Sequence, residues 1–173
     1  MKKILTLFAV VGLMAFSSCS NNDDNEYVDY DTISEVFEIQ NVNFSYSASD
    51  GYNIYQKLDP VLFDKDVVLI YRFIGTTNSG AAVWQQIPRT VYTDFGDFDY
   101  DFDFSREDFK IFAVGNYDLS LTPEFIRNQT FRIVIVPGSS SGSAKSVNKA
   151  DYSDYYEVIK RYNIDDSNVK KLN

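Results

Sequence analysis

Residues 97–104 read DFDYDFDF, and this octapeptide decides the fold class. Asp97, Asp99, Asp101 and Asp103 alternate with Phe98, Tyr100, Phe102 and Phe104. Successive side chains of an extended strand point to opposite faces, so this spacing puts four aromatics on one side and four carboxylates on the other. A helix would scatter both sets around its surface. The stretch is therefore predicted to be a strand with one face on a core and one in water.

Working outward, residues 105–108 (SRED) predict a capped turn, and 109–114 a second strand broken by Gly115. Upstream, residues 82–87 (AVWQQI) predict a strand ended by Pro88, which cannot donate to a ladder. Residues 67–74 (VVLIYRFI) and 130–136 (TFRIVIV) are nearly unbroken apolar runs, the pattern of central strands covered on both faces. Residues 36–46 alternate but change phase: Phe37 and Ile39 fall on one side, Val42, Phe44 and Tyr46 on the other, which predicts a bulge near Gln40 and Asn41. A turn cluster at 47–51 leads into a strand over 52–58. Thr122-Pro123-Glu124 predicts a short helix through Asn128. Tyr152, Tyr155, Tyr156, Ile159 and Tyr162 recur at helical spacing, so 151–162 is expected to be one amphipathic helix capped by Asn163, with 164–173 adding a turn or fraying.

About seven short strands separated by turn signals, with no alternating helices, predict an all-β fold: an immunoglobulin-like or jelly-roll-type β-sandwich with a C-terminal amphipathic helix. The expected organisation is a signal peptide over 1–18, a flexible tether over 19–33, the sandwich over 34–137, a Ser-rich linker over 138–149 and a helical tail over 150–173.

The N-terminal MKKILTLFAVVGLMAFSSC has a basic start (Lys2, Lys3) and an apolar segment of about 13 residues, or ~20 Å of helix against a ~30 Å hydrocarbon core. Small residues then lead to Cys19, the sole cysteine of the chain. That is the pattern of a lipoprotein signal peptide, with Cys19 the expected lipidation site and new N-terminus. Phe16 stands where Leu is commonest. Removing 18 of the 173 residues leaves 155, enough for one domain with a sizeable core. The full chain has 16 basic and 25 acidic side chains; without Lys2 and Lys3 the balance is 14 against 25, a net charge of −11. Such a balance excludes nucleic acid as an expected partner, and the expected link to the membrane is the lipid.

With no histidine and its one cysteine committed, the chain lacks the residues of the usual zinc, haem and copper sites and of Ser-His and Cys-His pairs. Ser146 and Lys149 have a serine–lysine spacing but fall in the Ser-rich linker. No glycine-rich phosphate cradle is present, so no cofactor is expected. The aspartate row gives alternate carboxylates ~6.7 Å apart in a straight line, poorly suited to the six to eight oxygens calcium takes, and Phe104 stands where a calcium loop requires Gly. A solvated outer face is expected there, with like charges discouraging edge pairing. Two carboxylates suffice for a glycosidase, so a carboxylate hydrolase is a distant alternative to the expectation that the protein is not an enzyme. Sugar rings stack on exposed aromatic faces, and Trp84, Tyr71 and Tyr92, together with Tyr100, are the candidate glycan contacts; the same residues would otherwise be core.

Residues 18–26 (SCSNNDDNE) resemble the start of lipoproteins of the Bacteroidota, in which acids after the cysteine, here Asp23, Asp24 and Glu26, are similar to a signal for export to the outer face of the outer membrane; Asn21 and Asn22 intervene here. Asp31-Thr32-Ile33 is similar to the O-glycosylation acceptor pattern of that group, which makes Thr32 a candidate acceptor; it is equally a plain strand-start residue. From Asp66 to Gly138 the succession VVLIYRFIG, AVWQQIPRT, FDYDFDFSREDFKIF and FRIVIVPG resembles a domain of small Bacteroidota outer-membrane lipoproteins, some of which carry collagen-like repeats. Relatives sometimes bear the label dihydrolipoamide dehydrogenase; the glycine fingerprints, redox cysteine pair and histidine of that enzyme are absent here. The resemblance implies a lipid-anchored protein of the outer membrane facing the exterior and brings no activity with it. The residues themselves leave the molecular function open: a structural or binding role is expected, with a surface glycan- or protein-binding module as the alternative.

Overall fold

The alternation of residues 97–104 is realised as a strand whose inner residues meet a second sheet. The computed structural model describes residues 34–138 and 152–172. The signal peptide, Cys19, the tether, Thr32, Ser146, Lys149 and nearly all of the Ser-rich linker lie outside the described residues. In chain order the elements are β1 (Glu35–Val42), β2 (Ser45–Ser47), β3 (Gly51–Lys57), β4 (Val67–Thr76), β5 (Ala82–Ile87), β6 (Arg89–Thr93), β7 (Gly96–Phe104), β8 (Asp108–Gly115), β9 (Gln129–Val136), α1 (Tyr155–Arg161) and β10 (Lys170–Leu172). They form two five-stranded sheets, ordered β10-β1-β9-β4-β5 and β2-β3-β8-β7-β6. All pairings are antiparallel except β1 with β10. The fold is an all-β sandwich with a C-terminal helix.

The two sheets bury Phe37, Ile39, Val68, Ile70, Phe131, Ile133 and Ile135 of the first against Ile54, Phe98, Tyr100, Phe109, Ile111 and Ala113 of the second. Aromatic rings meet across the interface, Phe37 with Phe109 at 6.3 Å and Tyr100 with Phe131 at 6.2 Å. Truncating a fully enclosed ring such as Phe131 would remove about 3–5 kcal/mol.

The apolar runs of β4 and β9 are unbroken because both faces are covered. Val68 and Ile70 look into the sandwich, while Leu69 and Tyr71 look outward, where Val134, Val136, Tyr155, Val158, Ile159 and Ile164 join them in a second core. The C-terminal helix thus lies on the outer face of the first sheet. It is shorter than the expected 151–162 because Asp154 caps it, accepting from the Tyr156 and Glu157 amides. Seven residues are too few to hold a helix by propensity, so packing of the Tyr155, Val158 and Ile159 face holds it. Asn163, with φ 50°, ends it as expected.

Among the described residues ten strands stand where about seven were expected, and each extra one has a physical reason. The phase change in residues 36–46 is partly the expected bulge, seen as a register shift between Ile39 and Val42 with Asn41 at φ 53°. Beyond it the chain leaves one sheet for the other, so Ser45–Ser47 is a separate strand. Pro88 ends β5, but the chain enters the second sheet's ladder one residue later as β6. Residues 170–172, expected to fray or form a turn, run parallel to β1 as β10, with Leu172 packed against the sandwich core. The expected helix after Thr122 is reduced to one 3-10 turn, Pro123–Phe125, and a second such turn, Leu119–Leu121, precedes it. Thr122 Oγ1 is taken by Tyr117 Oη at 2.8 Å rather than capping, and the Gln129 amide donates to the carbonyls of Glu124 and Arg127, drawing the chain out of helical path.

The sandwich has two distinguishable poles. Glu35, Val67 and Val136 lie together by register, as do Lys57 and Asp108. Leu62 donates its amide to Arg106 O, tying the β3–β4 loop to the β7–β8 turn, and Gly138 sits against Lys65. This is the pole at which residues 1–34 join the sandwich. The opposite, distal pole carries the β2–β3 turn, the β6–β7 turn and the segment between β8 and β9.

Candidate functional site

At the distal pole an open groove of about 740 Å³ lies between the β2–β3 hairpin and residues 113–120. Its floor follows from strand register. Tyr46 stands opposite Tyr52, Tyr52 opposite Ala113, and Ala113 opposite Tyr100, so the four share one face of the second sheet. Tyr100 and Ala113 are buried, Tyr52 is half-buried and Tyr46 is 70% exposed. The row begins in the core and ends in solvent, carrying aromatic surface out of the sandwich. Tyr46 and Tyr52 meet edge to face at 5.2 Å.

One wall is the tight hairpin turn. Gly51 (φ 65°) permits it, and Ser47 Oγ accepts the Asp50 amide at 3.1 Å. Lys110 Nζ donates to Asp50 Oδ2 at 2.9 Å. That hydrogen bond, aided by the cation's charge, holds the Asp50 carboxyl below its ordinary range and raises Lys110 in return. The other wall is the segment after β8. Asp118 Oδ1 accepts the Ser120 amide at 2.9 Å, which also lowers the Asp118 carboxyl. Leu119 is buried and anchors this wall to the core. Tyr117 stacks on Phe95 at 6.2 Å and is tethered through its hydroxyl to Thr122. Gly96 (φ 140°) allows the β6–β7 turn to approach: a Cβ there would meet Asn116 Oδ1 at 2.3 Å, the atom that accepts the Asp97 amide. The groove therefore combines three tyrosines, aliphatic surface from Val114 and Leu119, and two ionised carboxylates on a braced frame.

The residues expected to contact glycan are not brought together. Tyr71 is 0% exposed beneath α1 and donates to Tyr152 O at 2.6 Å, so it cannot touch a ligand, which corrects that expectation. Tyr100 is equally buried, its hydroxyl on Phe125 O. Both phenols are pushed well above their ordinary range, chiefly by burial. Trp84 is half-buried in the second core: Phe73 and Tyr155 contact its ring, and the Arg132 guanidinium lies 4.3 Å over it. Its indole nitrogen is buried without a hydrogen-bond partner among the described residues. Tyr92 is 78% exposed but belongs to the other sheet, beside Asp97. These positions form no common platform. Residues 97, 99, 101 and 103 form the expected exposed row on the outer face, where Thr90 donates to Asp99 and Lys110 stands opposite Asp103. Among the described residues no group of three or more acidic, histidine or cysteine side chains is placed to hold a metal ion.

Residue spacing alone does not mark the groove tyrosines as exposed. Tyr46 falls in phase with Phe44, which is core, and only the strand's crossing to the second sheet puts Tyr46 outside. A hint was available: Tyr46 and Tyr52 flank a tight turn symmetrically, which in a hairpin places them opposite each other.

A second cluster lies under α1. Arg132 pairs with Glu38 and, at 3.3 Å, with Asp166, and donates to Tyr155 Oη at 2.6 Å. The side chains of Arg132 and Glu38 are only 13% and 6% exposed, so this cluster fastens the C-terminal segment to the first sheet and offers a ligand no entrance. Among the described residues no helix is long and apolar enough to cross a membrane. No family model, curated protein or solved structure matches the chain.

Proposed function

We propose that the protein is a lipid-anchored binding module of the outer membrane, held through Cys19 and facing the exterior, and that its distal groove takes a neutral glycan. The observation that carries this reading is the outer end of the row, Tyr52 and Tyr46, which with Tyr117 presents aromatic rings in an open groove flanked by Asp50 and Asp118. A pyranose presents C–H faces that lie on aromatic rings and hydroxyls that donate to carboxylates. A carboxylate has about four acceptor positions; Lys110 and Ser120 use one each, leaving capacity for sugar hydroxyls. A concave site with apolar walls and few polar groups is the usual form of a small-ligand site. The mature charge of −11 disfavours anionic ligands. Position supports the reading too: the groove is at the pole opposite Glu35, and so points away from an anchoring membrane.

Holding is favoured over cleaving. A glycosidase acid needs a raised pKa so that it is protonated when required, whereas Asp50 and Asp118 are both lowered by donated hydrogen bonds. A second reading has its own observation: β2 is an edge strand beside the groove, and an extended peptide could add to it.

A panel of neutral oligosaccharides and extended peptides, measured by titration calorimetry, tests the site. Tyr46→Ala should weaken glycan binding by about tenfold or more, equivalent to ~1.4 kcal/mol, with the fold intact because Tyr46 is exposed. Binding that survives Tyr46→Ala and Tyr117→Ala unchanged would move the ligand elsewhere, and peptide binding without glycan binding would favour strand addition. For the anchor, Cys19→Ser should release the protein from membranes; protection from protease on intact cells would place it on the inner side.

A further inference from the structure

The proximal pole carries exposed apolar surface that the groove does not explain. Val61, Phe63, Val67 and Phe104 are each between 40% and 49% exposed. Val61 and Phe63 sit in the β3–β4 loop, Val67 opens β4, and Phe104 closes β7 at the turn to which that loop is tied. This surface is held in place. Leu62, between the two outward residues, is buried, donates its amide to Arg106 O at 2.8 Å and accepts from Arg106 Nε at 2.9 Å. Asp66 accepts the Phe63 amide at 3.0 Å, and Phe104 stacks on Phe102 at 6.4 Å. None of the four side chains has a polar atom, unlike the groove's tyrosines. Apolar groups fixed outward at one pole mark a contact surface.

We propose that this pole is a membrane-contacting surface, with Val61, Phe63, Val67 and Phe104 resting in the interface of the bilayer that anchors the chain. The inference depends on the reading of Cys19 as the lipidated residue. The occupant follows from where the chain leaves the sandwich. Residue 34 joins β1 at this pole, and the 15 residues 19–33 reach at most about 54 Å even when extended. A lipid on Cys19 therefore keeps the bilayer within reach of these side chains. Such a tether makes the contact intramolecular, with an effective concentration in the millimolar range, so even weak intrinsic affinity suffices. The rim is mixed in sign, with Asp64 paired to Arg106 at 2.6 Å beside Lys65 and Glu107, which fits zwitterionic headgroups. Contact at the proximal pole would also hold the groove pointing outward.

The test uses the full acylated chain in vesicles of phosphatidylethanolamine and phosphatidylcholine, with and without brominated acyl chains. Two variants, Phe63→Trp and Tyr46→Trp, each add one indole at an exposed position above the common background of Trp84. Brominated lipid should quench and plain lipid should blue-shift the added emission of Phe63→Trp, while Tyr46→Trp stays unquenched. Equal lack of quenching in both overturns the proposal. Shielding at position 63 that ignores bromine and rises with protein density would assign the surface to a second copy, which also overturns it. If mass measurement shows Cys19 unacylated, the anchor reading fails separately. Coupling Cys19, the sole thiol, to a maleimide lipid then decides the pole by the same quenching.

Discussion

Replacing Arg132 by methionine probes how the C-terminal segment is held. The guanidinium binds Glu38 and Asp166, donates to Tyr155, and lies 4.3 Å over Trp84 and 4.9 Å over Tyr155. Methionine keeps much of the volume but leaves Glu38, 5% exposed, as a buried carboxylate without its cation. Breaking such a pair by removing one partner costs about 3–5 kcal/mol, because the remaining charge loses its compensation. Against a total stability of roughly 5–15 kcal/mol this is a large share. Urea unfolding of the chain from Ser20 onward, followed by Trp84 emission, measures the loss directly. Glu38→Gln supplies the control: in the double variant no charge is stranded, so the combined loss should fall short of the sum of the singles by about 1 kcal/mol or more. A loss under about 1 kcal/mol for Arg132→Met, or strictly additive losses, would refute the idea that this pair clamps the tail.

Three further outcomes are expected. Gly96→Ala places a Cβ 2.3 Å from Asn116 Oδ1 at a φ of 140°, so it should cost about 1–3 kcal/mol in urea midpoint analysis and weaken ligand binding by displacing the groove wall. Deleting residues 169–173 strips Leu172 from the core and bares the β1 edge, which should cost about 1–2 kcal/mol and produce concentration-dependent association in light scattering. The Asp50, Asp118 and Asp165 carboxyls are lowered in the fold from the ordinary aspartate value of 3.8 by hydrogen bonds from Lys110, Ser120 and Ser167. A depressed folded pKa contributes stability that is full above the unfolded value and is lost as pH falls through the folded one. Thermal melts should therefore decline as pH drops below about 4, less steeply in Asp50→Asn, and an equal slope in the variant would remove Asp50 from the account.

The octapeptide at 97–104 was enough to establish a half-buried strand, because strand periodicity is a local property written in adjacent residues. The runs at 67–74 and 130–136 established central strands for the same reason, and Asn163 marked the end of the helix. The strand count was less legible. β6 and β10 are short, polar or charged, and exist because another strand's edge is there to receive them; such pairing energy is not local and leaves no periodic trace. The functional residues were hardest to find. Trp84, Tyr71 and Tyr92 are chemically as suitable for a sugar as Tyr46, Tyr52 and Tyr117, and nothing in side-chain type separates the two sets. What separates them is the helix that closes over Trp84 and Tyr71 and the crossing at residues 43–44 that carries Tyr46 to the exposed edge of the second sheet.

An all-β core, an acidic aspartate-bearing face, a C-terminal helix, and the absence of histidine and of any cysteine beyond Cys19 are legible in the chain before it folds. These follow from composition and from contacts between near neighbours. Tertiary structure alone decided which aromatics see solvent, that Arg132 and Glu38 would be buried as a pair, and that the groove and the chain's entry point lie at opposite poles. Exposure and distance depend on what packs against a residue from far along the chain, and that is settled only when the two sheets and the returning helix close together.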